Sequence, residues 1–215
     1  MEKVTNEIAL KGQMFLIATV FIIISFFVIR NVLDIYNVFE EKRSQEIRTE
    51  DLQTKNLVRE YEQAAGAASM QSNANRSAQD YLFNFSSFLR NTRDARMLYL
   101  FAYSNSTTAK YSVVLGNFLN DNVNATISAT NSDPVTAQFV LADRRNATAE
   151  FIFLGNGTVE LNLTYTVRNE VRKDLLNITV QSPRLFMTLF TDITLEGNNI
   201  IVRHKDIYNR TWYAP

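Results

Sequence analysis

The sequence predicts an α+β protein in which a long N-terminal helix is followed by a short second helix and an antiparallel β-sandwich. Residues 14–29 form an apolar run without a single charge, and residues 30–65 contain neither glycine nor proline. From Met97 onward apolar and polar residues alternate in short runs. Continuous apolar or glycine-free stretches of this length are typical of helix, whereas alternation with a period of two is typical of half-buried strands.

The apolar run predicts a membrane-spanning helix. Twelve of its sixteen residues are Phe, Leu, Ile or Val, and each contributes about −0.3 to −0.6 kcal/mol to insertion near the centre of a bilayer. The run is about 24 Å long as a helix, and its flanks bring it close to the roughly 30 Å of a hydrocarbon layer. The alternative, a buried helix of a soluble protein, is disfavoured because the run leaves no polar side for water.

The predicted domain boundaries follow from this helix. Residues 1–12 form a cytoplasmic leader, residues 13–65 a transmembrane helix that continues as a free stalk, and residues 66–77 a small, polar linker. No small-residue cleavage site follows the apolar run, so the run is not a removable secretory signal. Residues 78–215 form the extracellular domain, with the C-terminal part outside the cell.

The extracellular domain is predicted to begin with a helix from an N-cap at Ser77 to Arg93. Its apolar stripe, at helical spacing, is expected to face the core: Tyr81, Leu82, Phe85, Phe88 and Leu89.

Short alternating runs then predict an immunoglobulin-like sandwich. Gly155-Asn156-Gly157 and Gly197-Asn198-Asn199 predict hairpin turns between neighbouring runs. The predicted strands are 97–104, 111–118, 123–130, 135–142, 147–154, 158–167, 175–181, 185–195 and 199–205. The predicted core residues are Phe151, Phe153, Leu161, Leu163, Tyr165, Phe186 and Phe190.

Acceptor triplets for N-glycosylation, Asn-x-Ser/Thr, are concentrated after the apolar run. Nine of the 22 asparagines start such a triplet, although chance placement would give about three. In three predicted strands the acceptor lies on the polar face, where a glycan disturbs no packing. Asn84 is the poorest candidate, because it falls in the predicted second helix. The remaining predicted sites are Asn75, Asn105, Asn124, Asn146, Asn156, Asn162, Asn177 and Asn209.

The composition excludes several classes of function. The net charge is zero, so no nucleic-acid partner is indicated. There is no cysteine and one histidine, His204, so we expect no enzyme, no cofactor and no metal site. The acidic residues Asp121, Asp133 and Asp143 follow no calcium-loop spacing. Many acceptor triplets without a cysteine favour an archaeal cell surface over a eukaryotic secreted domain.

Lys11-Gly12-Gln13 directly before the apolar run resembles a class III, prepilin-type signal. The layout is similar to that of archaeal type IV pilin-like proteins, which have a short polar leader, an apolar helix and a β-rich head. The resemblance implies cleavage between Gly12 and Gln13 on the cytoplasmic side, and helices that bundle into a filament. Many such proteins carry glutamate at the fifth mature position, where this chain has Ile17.

Two functions are therefore expected of the chain. The first is a structural subunit of an archaeal type IV pilus-like filament, N-glycosylated, adhesive and homo-oligomeric through its N-terminal helix. The second is a single-pass surface glycoprotein that stays in membrane lipid, does not polymerise, and binds a partner or carbohydrate.

Overall fold

The computed structural model describes residues 2–69, 74–93, 95–105, 110–154, 157–180, 184–196 and 201–213. The chain divides into two compact units, residues 1–49 and residues 50–215. Residues 2–49 are helical throughout, and the side chains of residues 15–49 are exposed within this unit.

The first helix, α1, spans Glu2–Ser69, and the second, α2, spans Ala74–Arg93. The predicted long helix and short second helix are therefore confirmed, but the predicted linker at residues 66–77 is too long, since α1 continues to Ser69 and α2 begins at Ala74. The run from Ala64 to Ala68 holds four alanines, the strongest helix former, and the helix continues through the single glycine, Gly66. Ser77, the predicted N-cap, lies inside α2.

The second unit contains ten described strands in two antiparallel sheets, as predicted. Sheet A has six strands in the order β10-β9-β1-β2-β6-β4, and sheet B has four in the order β5-β3-β7-β8. The strands are β1 (Arg96–Asn105), β2 (Lys110–Phe118), β3 (Val123–Ala129), β4 (Ser132–Asp133), β5 (Thr136–Leu141), β6 (Arg145–Phe153), β7 (Gly157–Val167), β8 (Glu170–Val180), β9 (Arg184–Glu196) and β10 (Ile201–Tyr213).

Each of the nine predicted strands corresponds to a strand of the structure, and three differences remain. β8 begins at Glu170, five residues before the predicted start at residue 175. The two-residue strand β4 was not predicted, since a bridge this short leaves no alternating pattern. The last strand continues to Tyr213, well beyond the predicted end at residue 205, because β10 pairs with β9 along its whole length.

One predicted hairpin is wrong and another was missed. β6 and β7, which flank Gly155-Asn156-Gly157, lie in different sheets, so this segment crosses the sandwich instead of closing a hairpin. Residues 155 and 156 themselves lie outside the described residues. The missed hairpin joins β7 to β8, where Val167 pairs with Glu170. Arg168 and Asn169 between them have φ values of 49° and 66°, as a type I′ turn requires.

The central strands of sheet A, β9, β1 and β2, are buried on both faces. On β1, Leu98, Leu100 and Ala102 pack toward sheet B, while Tyr99 and Phe101 pack toward α1 and α2. The predicted core residues all belong to the cluster between the sheets, with Phe153 only partly buried. The second cluster, between sheet A and the helices, was not predicted as a separate layer.

The second cluster corrects the prediction of a free stalk. Leu57, Val58, Tyr61 and Ala65 of α1 are buried against the second unit, so the helix after residue 54 belongs to the domain. The Tyr61 hydroxyl lies 2.5 Å from the Ser86 hydroxyl of α2 and also contacts Met97 of β1.

Only part of the predicted stripe on α2 faces the core. Leu82 and Leu89 are buried and Phe85 is half-buried, as predicted. Tyr81 and Phe88, in contrast, are 52% and 59% exposed. The stripe of five residues is wider than the surface that sheet A offers, so its outer edge remains in solvent.

Gly116 of β2 makes room for a large aromatic side chain of the second cluster. It pairs with Tyr99 on β1, and a Cβ atom at Gly116 would overlap the Tyr99 ring. The ring is fully buried and stacks at 6.3 Å on Phe118. Burial also raises the pKa of the Tyr99 phenol.

A charged network joins β9 and β10 of sheet A to β7 and β8 of sheet B. Asp192 of β9 has no exposed surface, and it accepts hydrogen bonds from Arg203 of β10 at 2.5 and 2.7 Å. It also accepts a 2.5 Å bond from the Tyr165 hydroxyl of β7, and Arg172 of β8 lies 3.6 Å away. Burial, together with the Asp192 charge, raises the pKa of the Tyr165 phenol, so Tyr165 remains a donor.

We expect Asp192→Asn to lower the free energy of unfolding by about 2 kcal/mol, because two guanidinium groups lose their buried counter-charge. This is less than for a fully buried pair, since Arg203 is partly exposed and solvent screens it. Asp174→Asn is the matched control: Asp174 also bridges the sheets, to Lys205 at 2.7 Å, in a more exposed pair. It should cost less than about 1 kcal/mol. Urea unfolding followed by circular dichroism measures both, and equal losses would contradict the assignment.

Candidate functional site: an exposed apolar helix and glycan acceptor sites

The N-terminal part of α1 carries an uninterrupted apolar surface. Every large apolar side chain from Phe15 to Ile29 is exposed, and α1 is long and apolar enough to cross a membrane. The two hydroxyl side chains in this stretch bond back to their own helix: Thr19 donates to the Phe15 carbonyl at 2.9 Å and Ser25 to the Phe21 carbonyl at 2.8 Å. Their polar atoms therefore have partners inside the helix, as a hydrocarbon environment demands.

The apolar surface does not stop at Ile29. Val32, Ile35 and Phe39, spaced i, i+3 and i+7, form one exposed stripe on the next two turns. Arg30 and Asp34 lie between them in the sequence, so these turns carry charge as well as apolar surface. We call Val32, Ile35 and Phe39 the juxtamembrane stripe. The sequence pattern did not distinguish this stripe from the rest of the predicted stalk.

The predicted leader residues Gly12 and Gln13 lie on the α1 backbone, and their side chains are outside the described ones. Cleavage between them stays a prediction.

Three acceptor asparagines share the outer face of sheet B. Asn124 of β3, Asn162 of β7 and Asn177 of β8 are exposed, and the core-facing neighbours of each are buried, as the alternation predicted. The hydroxyl residue of each triplet lies two positions on, and therefore on the same face. In register, Asn162 lies opposite Ser128, and Asn177 opposite Glu160. Glycans on these three strands would cover most of this face.

The other acceptors lie on separate elements. Asn146 of β6 and Asn209 of β10 are exposed at opposite ends of sheet A. Asn75 lies in the first turn of α2 and Asn105 at the end of β1, with side chains outside the described ones. Asn156 lies outside the described residues altogether.

Asn84 is exposed on α2, but the rest of its acceptor triplet is not. Ser86, the hydroxyl residue of that triplet, is fully buried. Its oxygen donates to the Leu82 carbonyl at 2.6 Å and contacts the Tyr61 hydroxyl. Both hydrogen-bonding capacities of Ser86 are therefore used within the fold.

A cleft of about 290 Å³ at one end of the sandwich gathers four arginines, but each is paired with a carboxylate. Arg96 meets Glu196 at 2.8 Å, Arg172 meets Glu170 at 2.6 Å, Arg203 meets Asp192 and Arg168 meets Asp121. The charges therefore compensate one another, and the described residues that line the cleft offer no free cation for an anionic ligand.

The described residues hold no group of three or more His, Asp or Glu that would suit a metal ion. Asp121 pairs with Arg168, and Asp143 accepts a hydrogen bond from the Asn120 amide, so each carboxylate has its own local role. His204 is half-buried on β10 opposite Ile193. The side chains of Trp212 and Tyr213 are outside the described ones.

No family model matches this chain, and no curated protein or solved structure matches it either.

Glycopeptide mass spectrometry should find Asn162 modified and Asn84 unmodified in the protein from its native host. Both asparagines are exposed, but Thr164 of the first triplet lies on the open sheet face, whereas Ser86 is enclosed by α1 and β1. Since the transferring enzyme must reach the hydroxyl residue, the folded second triplet is a poor substrate. A glycan on Asn84 at an occupancy similar to that of Asn162 would contradict this reasoning.

Proposed function

We propose that the chain is a glycosylated structural subunit of an archaeal type IV pilus-like surface filament. The observation that carries the proposal is the apolar helix surface from Phe15 to Phe39, which nothing within its own unit covers.

An apolar helix surface of this kind can be buried away from water in two environments. Lipid covers it in a membrane, and copies of the same helix cover it in a bundle. The stretch from Phe15 to Phe39 is about 37 Å long at 1.5 Å per residue, which exceeds the roughly 30 Å of a hydrocarbon layer. The hydrocarbon layer alone therefore leaves part of the apolar helix surface exposed to water.

The juxtamembrane stripe favours assembly over lipid as the second cover. Arg30 and Asp34 resist entry into hydrocarbon, at a cost of about 2.5–3.5 kcal/mol each near the bilayer centre. The stripe beside them therefore lies at or beyond the membrane surface, where its apolar side chains meet water unless another protein surface packs on them. Val32, Ile35 and Phe39 have the i, i+3 and i+7 spacing that packs against another helix, and further apolar residues beside them are exposed as well: Leu33, Tyr36 and Val38.

The glycan acceptors support an outward position for the β-sandwich. Three of them share the outer face of sheet B, where attached sugars disturb no buried residue. A sugar-covered domain carried by a filament core would present its surface to the surroundings, and adhesion is the corresponding role.

The alternative is a single-pass surface glycoprotein that does not polymerise. It is favoured by the hydrogen bonds of Thr19 and Ser25 to their own helix, which suit a helix that stays in lipid.

The intact mass of the protein from its native membrane tests the leader. We expect a chain that begins at Gln13, because Lys11-Gly12-Gln13 stands directly before the apolar helix. A Gly12→Leu variant should keep the full-length mass, since the residue before the cut is changed, whereas Ala9→Leu leaves that residue intact and should still be processed. Retention of residues 1–12 in the wild-type protein would argue strongly against the pilin-like function.

Phe39→Asp separates filament assembly from membrane insertion. The charge disrupts the end of the juxtamembrane stripe that lies farthest from the membrane-spanning run, outside hydrocarbon, so we expect membrane fractionation to be unchanged and filaments to disappear in electron microscopy. Ile47→Asp, at an exposed apolar residue of the polar part of α1, is the matched control and should leave filaments intact. Ile22→Arg should abolish insertion itself. An absence of filaments in the wild-type cells would favour the single-pass alternative.

A further inference from the structure

The two sheets of the sandwich differ in width, and this difference leaves a ledge on sheet A. β8 is the edge strand of sheet B as described, and it packs across the sandwich on β9. β10 lies one strand further out, so no described strand of sheet B covers it. The free edge of β8 stands above this ledge, with backbone groups that have no neighbouring strand on that side.

An open groove of about 350 Å³ lies where this ledge meets the edge of β8. That volume is within the range of pockets that hold small ligands, about 300–1,000 Å³. Buried apolar residues, hydroxyl residues and one arginine line it: Asn177, Ile178, Thr179, Phe186, Met187, Thr188, Asn209, Arg210 and Thr211.

The groove contains a complete acceptor triplet, Asn209-Arg210-Thr211. Asn209 pairs in register with Thr188, which lies between Phe186 and Phe190. Because both phenylalanines are buried in the core between the sheets, Thr188 and its partner Asn209 lie on the face of sheet A that is turned toward sheet B. Asn209 and Thr211 are nevertheless exposed, since the ledge is uncovered.

Asn177 also borders the groove but faces elsewhere. Its neighbour Ile178 is buried in the core between the sheets, so Asn177 and Thr179 lie on the outer face of sheet B. A glycan on Asn177 would extend away from the ledge, whereas one on Asn209 would begin on it.

We propose that the groove seats the first sugars of an N-linked glycan attached to Asn209. The inference rests on the proposed function in one respect, that the chain is N-glycosylated. Attachment joins Asn209 Nδ2 to C1 of the first sugar of a lipid-phosphate-linked oligosaccharide. The C1–O bond of the donor breaks, its electron pair leaves with the lipid phosphate, and the amide loses one proton to a base of the transferring enzyme.

The chemistry of the groove suits a sugar. Thr211 is exposed and offers a hydroxyl group, whereas Ile178, Phe186 and Thr188 form a closed floor beneath the groove, each no more than 2% exposed. The free edge of β8 supplies backbone donors and acceptors for the sugar hydroxyls. The seated glycan takes the place of a missing strand and holds the two sheets together at their open side.

The test compares Asn209→Gln with Asn124→Gln in the full-length protein, made both in its native host and in a host without N-glycosylation. Asn124 is the matched control, because it is an exposed acceptor on the outer face of sheet B, away from the groove. In the glycosylated protein, Asn209→Gln should lower the melting temperature by about 3 °C, and Asn124→Gln by less than about 1 °C. Without glycans, neither variant should change the melting temperature by more than about 1 °C. Thr211→Ser keeps the acceptor and should keep the stability.

Each outcome decides between the inference and the function it rests on. Three outcomes would overturn the seated glycan and leave the proposed function standing. The first is an equal shift in melting temperature for Asn209→Gln and Asn124→Gln, and the second is the same shift of Asn209→Gln in both hosts. The third is a protein in which other acceptors carry a glycan but Asn209 does not. A protein without a glycan at any acceptor would overturn both the seated glycan and the glycosylated character of the proposed subunit.

Discussion

The central constraint on this fold is that the three central strands of sheet A, β9, β1 and β2, are buried on both faces. β1 contributes apolar side chains to both sides, with Leu98 and Leu100 toward sheet B and Tyr99 and Phe101 toward the helices. Burial of one large apolar side chain contributes about 1.5–3 kcal/mol, so the sheet needs a cover on each side. Sheet B is one cover, and α2 with the end of α1 is the other. The helix that runs to Ser69 is therefore part of the domain core over its last turns.

The unequal width of the two sheets determines where polar and charged side chains lie. Sheet B is two strands narrower than sheet A, and the residues of β10 that face it meet solvent. Arg203 pairs with Asp192 on the neighbouring strand β9, and Lys205 pairs with Asp174 across the sandwich, so the charges on the ledge are compensated. Charged side chains of this kind also make an edge less able to pair with other strands.

Local patterns predicted most elements of the fold but not how the elements pack together. Alternation predicted nine strands and the exposed faces of Asn124, Asn162 and Asn177, because a period of two directly encodes which side is buried. The glycines around Asn156 predicted a turn, but the pairing partners of β6 and β7 depend on the packing of two sheets, which no local pattern contains. The turn at Arg168-Asn169 was missed because arginine is an unusual residue at positive φ. At the candidate site, the surroundings of Ser86 depend on Tyr61 and Met97, which are distant in sequence.

The hydrophobic effect alone does not decide between a lipid cover and a protein cover for the N-terminal helix. Residues between Phe15 and Ile29 are away from water in either case, and helices in lipid gain no hydrophobic free energy by associating. The juxtamembrane stripe differs, because it lies beside Arg30 and Asp34 and meets water when the helix is alone. In the proposed filament, burial of the stripe against a neighbouring copy would supply a gain that lipid does not. The choice between a solitary anchor and a filament thus depends on the two turns after Ile29 more than on the longer apolar segment before them.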